Sequence, residues 1–405
     1  MTETLPHSNP KGIDSNALWP AIVDQEFTDS LRAFNRQYIE PEAERIDRDD
    51  LYPVEIVQAM AKKGYNTITG ETAYGGGGMG YQHAAAVLEE VSVGSAAVGV
   101  SIITIFQAQT MLRRYGSDSL KARYLPAFNE GLLASYALTE ANRGSDIRSL
   151  DTKAWQDGDE WVIRGEKHFI TSGVAAQFFT TLAETDKGVT VFAVPRDAVG
   201  VRVYEGANSA TFGLRNGPHM NVAFDDVRVP ADHMIGEEGK GVKQAATVLN
   251  YSRTLAGAVS IGIARAAYED ALAHLRDRRA FDQRVIEFQG IQWYFADMLS
   301  EIDAARLLVY RAAAALDTGD QIARWGSEAK LKASIVATEV AGRAAQACGA
   351  YGIREDAPFG RYLRDAKAYE VAGGSIEILR NTIGKAILPI AGLERKRPSP
   401  KPPAE

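Results

Sequence analysis

A chain of 405 residues with 45% hydrophobic side chains can bury a sizeable core and divides most readily into two or three domains. Its net charge of −7 excludes the basic footprint of a nucleic-acid binder. The lone cysteine, Cys348, excludes an internal disulfide and a cysteine metal cluster, and it suits a reducing compartment.

Residues 1–20 carry Pro6, Pro10, Gly12 and Pro20 among small polar groups, and the pattern predicts a flexible N-terminus. Helical patterning starts near Glu26, where Phe27, Leu31, Phe34 and Tyr38 recur at helical spacing. Pro41, then Asp47, Asp49 and Asp50, interrupt it. A second helix is expected over 54–63, with Gly64 ending it, and a longer Ala- and Val-rich helical region over about 81–114. The four glycines at 75–78 form a loop. No Lys-Ser/Thr follows them, so the P-loop reading fails. The six histidines are scattered and none pairs at metal-ligand spacing, so no metal site is expected. No signal peptide is visible and no stretch approaches a membrane span, which makes a cytoplasmic protein the expectation.

The pattern changes after residue 134. Trp161–Ile163, Phe178–Leu182 and Val189–Val194 read as strands, and Asp157-Gly158-Asp159 and Asp186-Lys187-Gly188 as hairpin turns. Met220, Val222 and Phe224 alternate with polar residues, and Val227 and Val229 continue after a turn. Helix returns near 241. Leu255, Val259 and Ile263 share one face, and Phe288, Ile291, Phe295, Met298, Ile302 and Ala305 share another. A further alanine-rich run covers 327–348. Residues 364–380 read as a charged turn, an extended run, the pair Gly373-Gly374 and a helix capped by Ser375. The fold class is therefore α+β: an N-terminal all-helical domain (21–134), a middle β-barrel-like domain (135–240) and a C-terminal four-helix bundle (241–393). A proline-rich tail, 394–405, is expected to be disordered.

Several segments carry groups suited to chemistry. TEANRGSD at 139–146 is a polar turn rich in hydrogen-bonding groups. GEKHFITSG at 165–173 sets the apolar surface of Phe169 and Ile170 beside the Thr171 and Ser172 hydroxyls, a pairing that suits a planar heteroaromatic ligand. RRAFDQRVIEFQ at 278–289 separates two long helices, and its arginines can fork onto phosphates. Each segment alone also reads as ordinary loop or core.

In order and spacing, these segments resemble the acyl-CoA dehydrogenase family of flavoproteins. The resemblance also covers HMNVAFDDVRVPADHMIGEEGKG at 219–241, QACGAYG at 346–352 and RDAKAYEVAGGSIEILR at 364–380, and it spans Phe27 to Leu388. It implies FAD as cofactor and an acyl-CoA or acyl-carrier thioester as substrate. Tyr136, Leu138, Thr139, Phe169, Ile170 and Thr171 would hold the flavin, with Phe169 against the ring. Ser145 would sit near the cofactor and the pantetheine arm, and Asn250 and Arg253 near the CoA portion. Arg278, Phe281, Gln289 and Gln346 would reach the FAD of a neighbouring subunit, Gly349 would be a further cofactor-binding position, and Ser375 and Glu377 would lie close to FAD. The resemblance further implies a homotetramer, built as a dimer of dimers, and electron-transfer flavoprotein or a similar acceptor. The implied reaction is α,β-dehydrogenation, with a backbone N–H at Gly373 stabilising the thioester oxygen.

The sequence departs from the family at the base. The commonest glutamate position holds Gly373, and the alternative position before Arg253 holds Ser252. A lone serine hydroxyl is too weak a base. Three readings stay open. A relocated base, with Glu370 or Glu377 nearest, keeps the dehydrogenase reaction. A desulfinase-like or other non-oxidative reaction needs no such base, and AGGS-x-EILR with EFQG-x-QW resembles that branch. A non-catalytic partner subunit or a flavin monooxygenase is the third.

Overall fold

The computed structural model describes residues 12–207 and 209–393. The expectations for residues 1–11 and for the tail from 394 lie outside the described residues. The N-terminal layer comprises α1 (Ser15–Leu18), α2 (Gln25–Phe34), α3 (Ala43–Asp49), α4 (Val54–Lys62), α5 (Tyr81–Gly94), α6 (Ala96–Tyr115) and α7 (Asp118–Asn129). Asp24 caps α2 by accepting the Phe27 N–H at 2.7 Å.

Four expectations need correction here. Residues 14–20 are held, not loose: Trp19 is fully buried and its Nε1 donates to Glu269 Oε1 at 2.8 Å. Pro41 does not stop the helical path. The chain passes through a π-turn at Asn35–Ile39 and a 3-10 turn at Glu40–Glu42, where a proline in the first turn loses no helix bond, and α3 then continues to Asp49. The region over 81–114 is two helices, broken by the extended Ser95. The second of them, α6, is long and apolar enough to cross a membrane by length and composition, contrary to the expectation, but 89% of its most apolar stretch is buried inside the protein.

The middle domain is an eight-stranded, barrel-like sheet left open between its outer strands. Its strands are β1 (Ala134–Ala137), β2 (Lys153–Asp157), β3 (Glu160–Ile170), β4 (Phe178–Thr185), β5 (Gly188–Pro195), β6 (Val201–Glu205), β7 (Met220–Pro230) and β8 (Met234–Ile235). The order is β6-β7-β3-β2-β4-β5-β8, with β1 parallel to β4. Both expected hairpins form, β2–β3 and β4–β5. The turn expected before Val227 is a bulge within β7: the register against β3 slips between Ile163 and Gly165, and Asp226 takes φ +49°. Strand β2 buries only Ala154, so its sequence carries no alternating signal.

The C-terminal domain comprises α8 (Gly241–Asp277), the short hairpin β9 (Arg279–Ala280) and β10 (Gln283–Arg284), α9 (Gln289–Thr318), α10 (Ile322–Ala347), α11 (Phe359–Val371) and α12 (Ile376–Ile390). Helices α8 to α11 form the bundle and α12 packs on α10. The extended run expected before Gly373 is the last part of α11, because Tyr362, Ala366, Tyr369 and Glu370 all face inward at helical spacing.

Two of the contacts that tie the domains involve buried charge. Gly262 lets α8 approach α5 so closely that a Cβ would stand 2.5 Å from Glu89 O. Beside it lies a buried ionic cluster. Arg265 pairs with Glu89 and Glu90, Arg306 Nε reaches Glu89 Oε1 at 2.8 Å, and Arg32 Nη2 reaches Glu90 Oε1 at 3.1 Å. Burial pushes the Glu90 carboxyl up, but Arg265 and Arg32 outweigh it and hold the group down at about 2.

The second contact is Asp365 on α11, which accepts the Leu214 N–H at 2.6 Å across to the β-domain. Burial pushes its carboxyl from 3.8 up to about 6. The folded pKa lies above the unfolded one, so this group's contribution is full below about pH 4 and is lost as pH rises through about 6. Asp365→Asn keeps an acceptor oxygen and cannot ionise. Its thermal midpoint is expected above wild type at pH 8, with the gap narrower at pH 5. Differential scanning at the two pH values checks this.

Candidate active site

The first half of the site is built where β1 and β3 end together. His168 N donates to Thr139 O at 2.8 Å, and Ser135 Oγ donates to Thr171 O at 2.5 Å. These bonds bring Tyr136, Leu138 and Thr139 beside Phe169, Ile170 and Thr171. Phe169 takes φ +55°, an uncommon backbone for an aromatic residue, and its ring is 51% exposed while Ile170 is buried. The Thr139 and Thr171 hydroxyls make no hydrogen bond among the described residues, and the buried Tyr136 hydroxyl has no partner. Burial pushes that Tyr136 hydroxyl well above its ordinary pKa. An outward aromatic face, two free hydroxyls and an orphaned phenol fit a flavin.

Two features of this half escaped sequence reasoning. Lys167, fully buried, donates to Glu140 Oε1 at 2.7 Å and to Leu138 O at 3.2 Å. Glu140 in turn accepts the Asp151 and Thr152 N–H groups at 2.6 and 3.0 Å. Burial lowers Lys167 to about 8, with Glu140 opposing the shift. The acidic residue of TEANRGSD and the lysine of GEKHF thus lock the two segments to each other, and Ser145 is left exposed on the intervening bend. The second feature is a polar knot. Ser172, at φ +61°, accepts from Thr104 Oγ1 and Asn216 Nδ2, each at 3.2 Å. Asn216 Nδ2 also reaches Ser101 Oγ at 3.0 Å. The knot clamps the Thr171–Ser172 corner against α6.

The second half is the rim between α11 and α12. Gly373 and Gly374 take φ +70° and +103°, and Ser375 Oγ accepts the Ile378 N–H at 3.5 Å to cap α12. Arg253 Nε donates to Gly373 O at 3.4 Å and its Nη1 to Asn250 Oδ1 at 3.1 Å. Lys330 on α10 donates from Nζ to Gly374 O at 2.6 Å. Burial first, then Arg253, lowers Lys330 to about 7, and Glu370 opposes them. Nothing in the sequence singled out Lys330, since one lysine in an alanine-rich helix reads as a solvated face. Ser252 is buried and its hydroxyl donates back to Leu249 O at 3.2 Å, as helical serines do. Glu370 is buried at the end of α11 and accepts from Lys367 Nζ at 2.5 Å. Glu377 is exposed in the first turn of α12, and its own backbone N–H and Ser375 hold its carboxyl below the ordinary range.

The two halves share a wall, the loop in which Leu214 bonds Asp365 and Asn216 bonds Ser172. Arg278, Phe281, Gln289, Gln346 and Gly349 are not part of it. They lie at the far end of the bundle, where His274 stacks on Tyr351 with centroids 4.1 Å apart. Asn250 and Arg278 stand 28 positions apart along α8 and its C-cap, which at 1.5 Å per residue is about 40 Å. Phe281 there is 90% exposed.

Comparison with known proteins covers nearly the whole chain. Residues 23–131, 135–227 and 239–388 match the family models for the N-terminal, middle and C-terminal domains of acyl-CoA dehydrogenase. The probable acyl-CoA dehydrogenase FadE25 of Mycobacterium tuberculosis is 35% identical over 371 residues, 90% of this chain and 95% of that one. Cyclohex-1-ene-1-carbonyl-CoA dehydrogenase of Syntrophus aciditrophicus is 36% identical over 360 residues, 86% of each. Among solved structures, butyryl-CoA dehydrogenase of Megasphaera elsdenii superposes with a TM-score of 0.87 at 31% identity, covering 90% of this chain and 97% of that one.

Proposed function

The chain belongs to the acyl-CoA dehydrogenase family, and from that membership we infer that it is an FAD-dependent oxidoreductase acting on the α,β bond of an acyl thioester. The observation that carries this reading is the outward Phe169 between free threonine hydroxyls, sharing a wall with a glycine rim gripped by Arg253. FAD, when bound, supplies the hydride-accepting chemistry. Phe169 would lie against the flavin ring, and Thr139 and Thr171 would hydrogen-bond its edge. The Gly373 N–H would face the thioester oxygen, which gathers negative charge as the α-proton leaves. Asn250 and Arg253 would flank the CoA portion, and Ser145 the pantetheine arm.

Proton removal needs a base, and neither Gly373 nor Ser252 supplies a carboxylate. We take Glu370, three residues before Gly373, as the candidate. Loss of a general base costs roughly 10²–10⁴-fold, so Glu370→Gln is expected to cut kcat by at least about 100-fold. Unchanged turnover would assign proton removal elsewhere. The carboxylate-free rim also favours a second reading, a desulfinase-like reaction that needs no α-proton transfer. Anaerobic mixing of the yellow protein with butyryl-, isobutyryl-, octanoyl- and glutaryl-CoA separates the two. Flavin bleaching supports dehydrogenation, whereas no bleaching together with sulfite release from sulfinopropionyl-CoA rejects it. A colourless protein that refuses FAD would sink both and leave a non-catalytic partner.

The roughly 40 Å that α8 puts between Asn250 and Arg278 supports FAD shared between subunits. Arg278, Phe281, Gln289, Gln346 and Gly349 would complete a neighbour's cofactor site, in a homotetramer arranged as a dimer of dimers. Electron-transfer flavoprotein is the proposed acceptor and the cytoplasm the proposed location.

A further inference from the structure

The Gly373–Gly374 rim has no side chain with which to hold itself. Two consecutive glycines at positive φ have more backbone freedom than any other pair, and an unrestrained peptide plane between them would turn. A Cβ at Gly373 would meet nothing within 4 Å, so packing does not restrain that residue either. The backbone N–H groups of Gly373, Gly374 and Ser375 make no hydrogen bond among the described residues. What grips the rim is a pair of cations, Arg253 on Gly373 O and Lys330 on Gly374 O.

The packing of α8 on α10 sets both cations in place. Gly326 of α10 lies so close to α8 that a Cβ would stand 2.9 Å from Asn250 O and from Thr254 Oγ1. One turn along each helix from this crossing come Arg253 and Lys330. A peptide unit is planar and trans, so its N–H points opposite to its C=O. Drawing the two carbonyls toward the bundle turns the following N–H groups away from it. It also fixes the torsions on which the direction of the Gly373 N–H depends. Lys330 is fully buried and is engaged at this carbonyl rather than by an ion pair, so its bond does not compete with water.

We propose that Lys330 is a positioning residue for the thioester reaction: by holding the Gly374 carbonyl it fixes the double-glycine rim and keeps the Gly373 N–H aimed at the thioester oxygen. The proposal rests on the acyl-thioester reading above. It adds a residue of α10 whose hydrogen bond goes to the backbone of the rim.

The test uses the full-length, FAD-loaded enzyme and Lys330→Met, which keeps the volume and removes the donor. Removing an oxyanion donor costs roughly 10²–10³-fold, and misaiming one costs less. The expected result is a 10- to 100-fold fall in kcat on whichever acyl-CoA bleaches the wild-type flavin, with KM changed less than about threefold and FAD content unchanged. The second readout is acetoacetyl-CoA, whose bound enolate absorbs in the near ultraviolet. Enolate formation is expected to move up by about one pH unit in the variant, a tenfold loss of oxyanion stabilisation. Wild-type kcat and an unmoved enolate titration in Lys330→Met overturn the proposal. If no acyl-CoA bleaches the wild type, the dehydrogenase reading fails instead, and the enolate titration still reads Lys330 because it needs no hydride transfer. Should Lys330→Met lose FAD, Lys330→Gln retains an N–H donor. Bound FAD with at least about a tenth of wild-type kcat in Lys330→Gln then supports the proposal, and a loss of about 100-fold or more with FAD still bound and the donor retained overturns it.

Discussion

Arg265→Met is expected to lower stability by about 3–5 kcal/mol, the usual cost of leaving a buried charge without its partner. Arg265 is 1% exposed and sits between Glu89 and Glu90, which reach it from α5. Its loss leaves Arg32 and Arg306 facing three buried carboxylates, Glu89, Glu90 and Glu269, so one buried charge goes unpaired. The same guanidinium lies 5.6 Å from the centre of the Trp19 ring, so the anchored N-terminal segment loosens with it. A three-domain protein rarely unfolds in two states, so the measurement is inactivation temperature at a fixed heating rate. The double variant Arg265→Met with Glu90→Gln is expected to recover part of the loss. If it recovers nothing, packing rather than unpaired charge is responsible.

Gly374→Ala is expected to reduce turnover by about 100-fold while costing only about 1–3 kcal/mol of backbone strain. At φ +103° an alanine is strained wherever its methyl points, and here that methyl would stand 3.3 Å from Arg253 Nη2. Relief requires the peptide to turn, which breaks the Lys330 bond to Gly374 O. Gly373→Ala is the control. Its φ of +70° is strained as well, but its methyl would meet open space. The expected order of kcat is wild type, then Gly373→Ala, then Gly374→Ala, with FAD retained in all three. Steady-state kinetics with flavin quantitation checks it, and equal losses in the two variants would show that φ strain alone decides.

Much of this architecture was legible in the sequence because long helices repeat their signal. Phe295, Met298, Ile302 and Ala305 announce α9 four times over, and all four are buried. Strand β2 announces itself once, through Ala154, and was missed. The flavin segments were legible through residue type and order. The reason they fold together was not, because Lys167 and Glu140 stand 27 positions apart and a buried ion pair leaves no periodic trace. Lys330 was invisible for the same reason, its partner being a backbone carbonyl 44 positions away. The helical character of 364–371 was missed because charged residues outweigh the inward Tyr362, Ala366 and Tyr369 in the local pattern. The resemblance already implied that Arg278, at the end of α8, reaches a neighbour's FAD, and the 37-residue length of that helix adds the distance from Asn250.

That length has an arithmetic consequence. On the proposed arrangement each chain holds one flavin-ring and thioester site but leaves the remaining contacts of its cofactor to its neighbour. Activity would therefore be counted per pair of chains, and dilution would extinguish it abruptly as pairs part, while each separated chain stayed folded. A poisoned end of one chain would silence a centre in its neighbour and spare the one at its own opposite end.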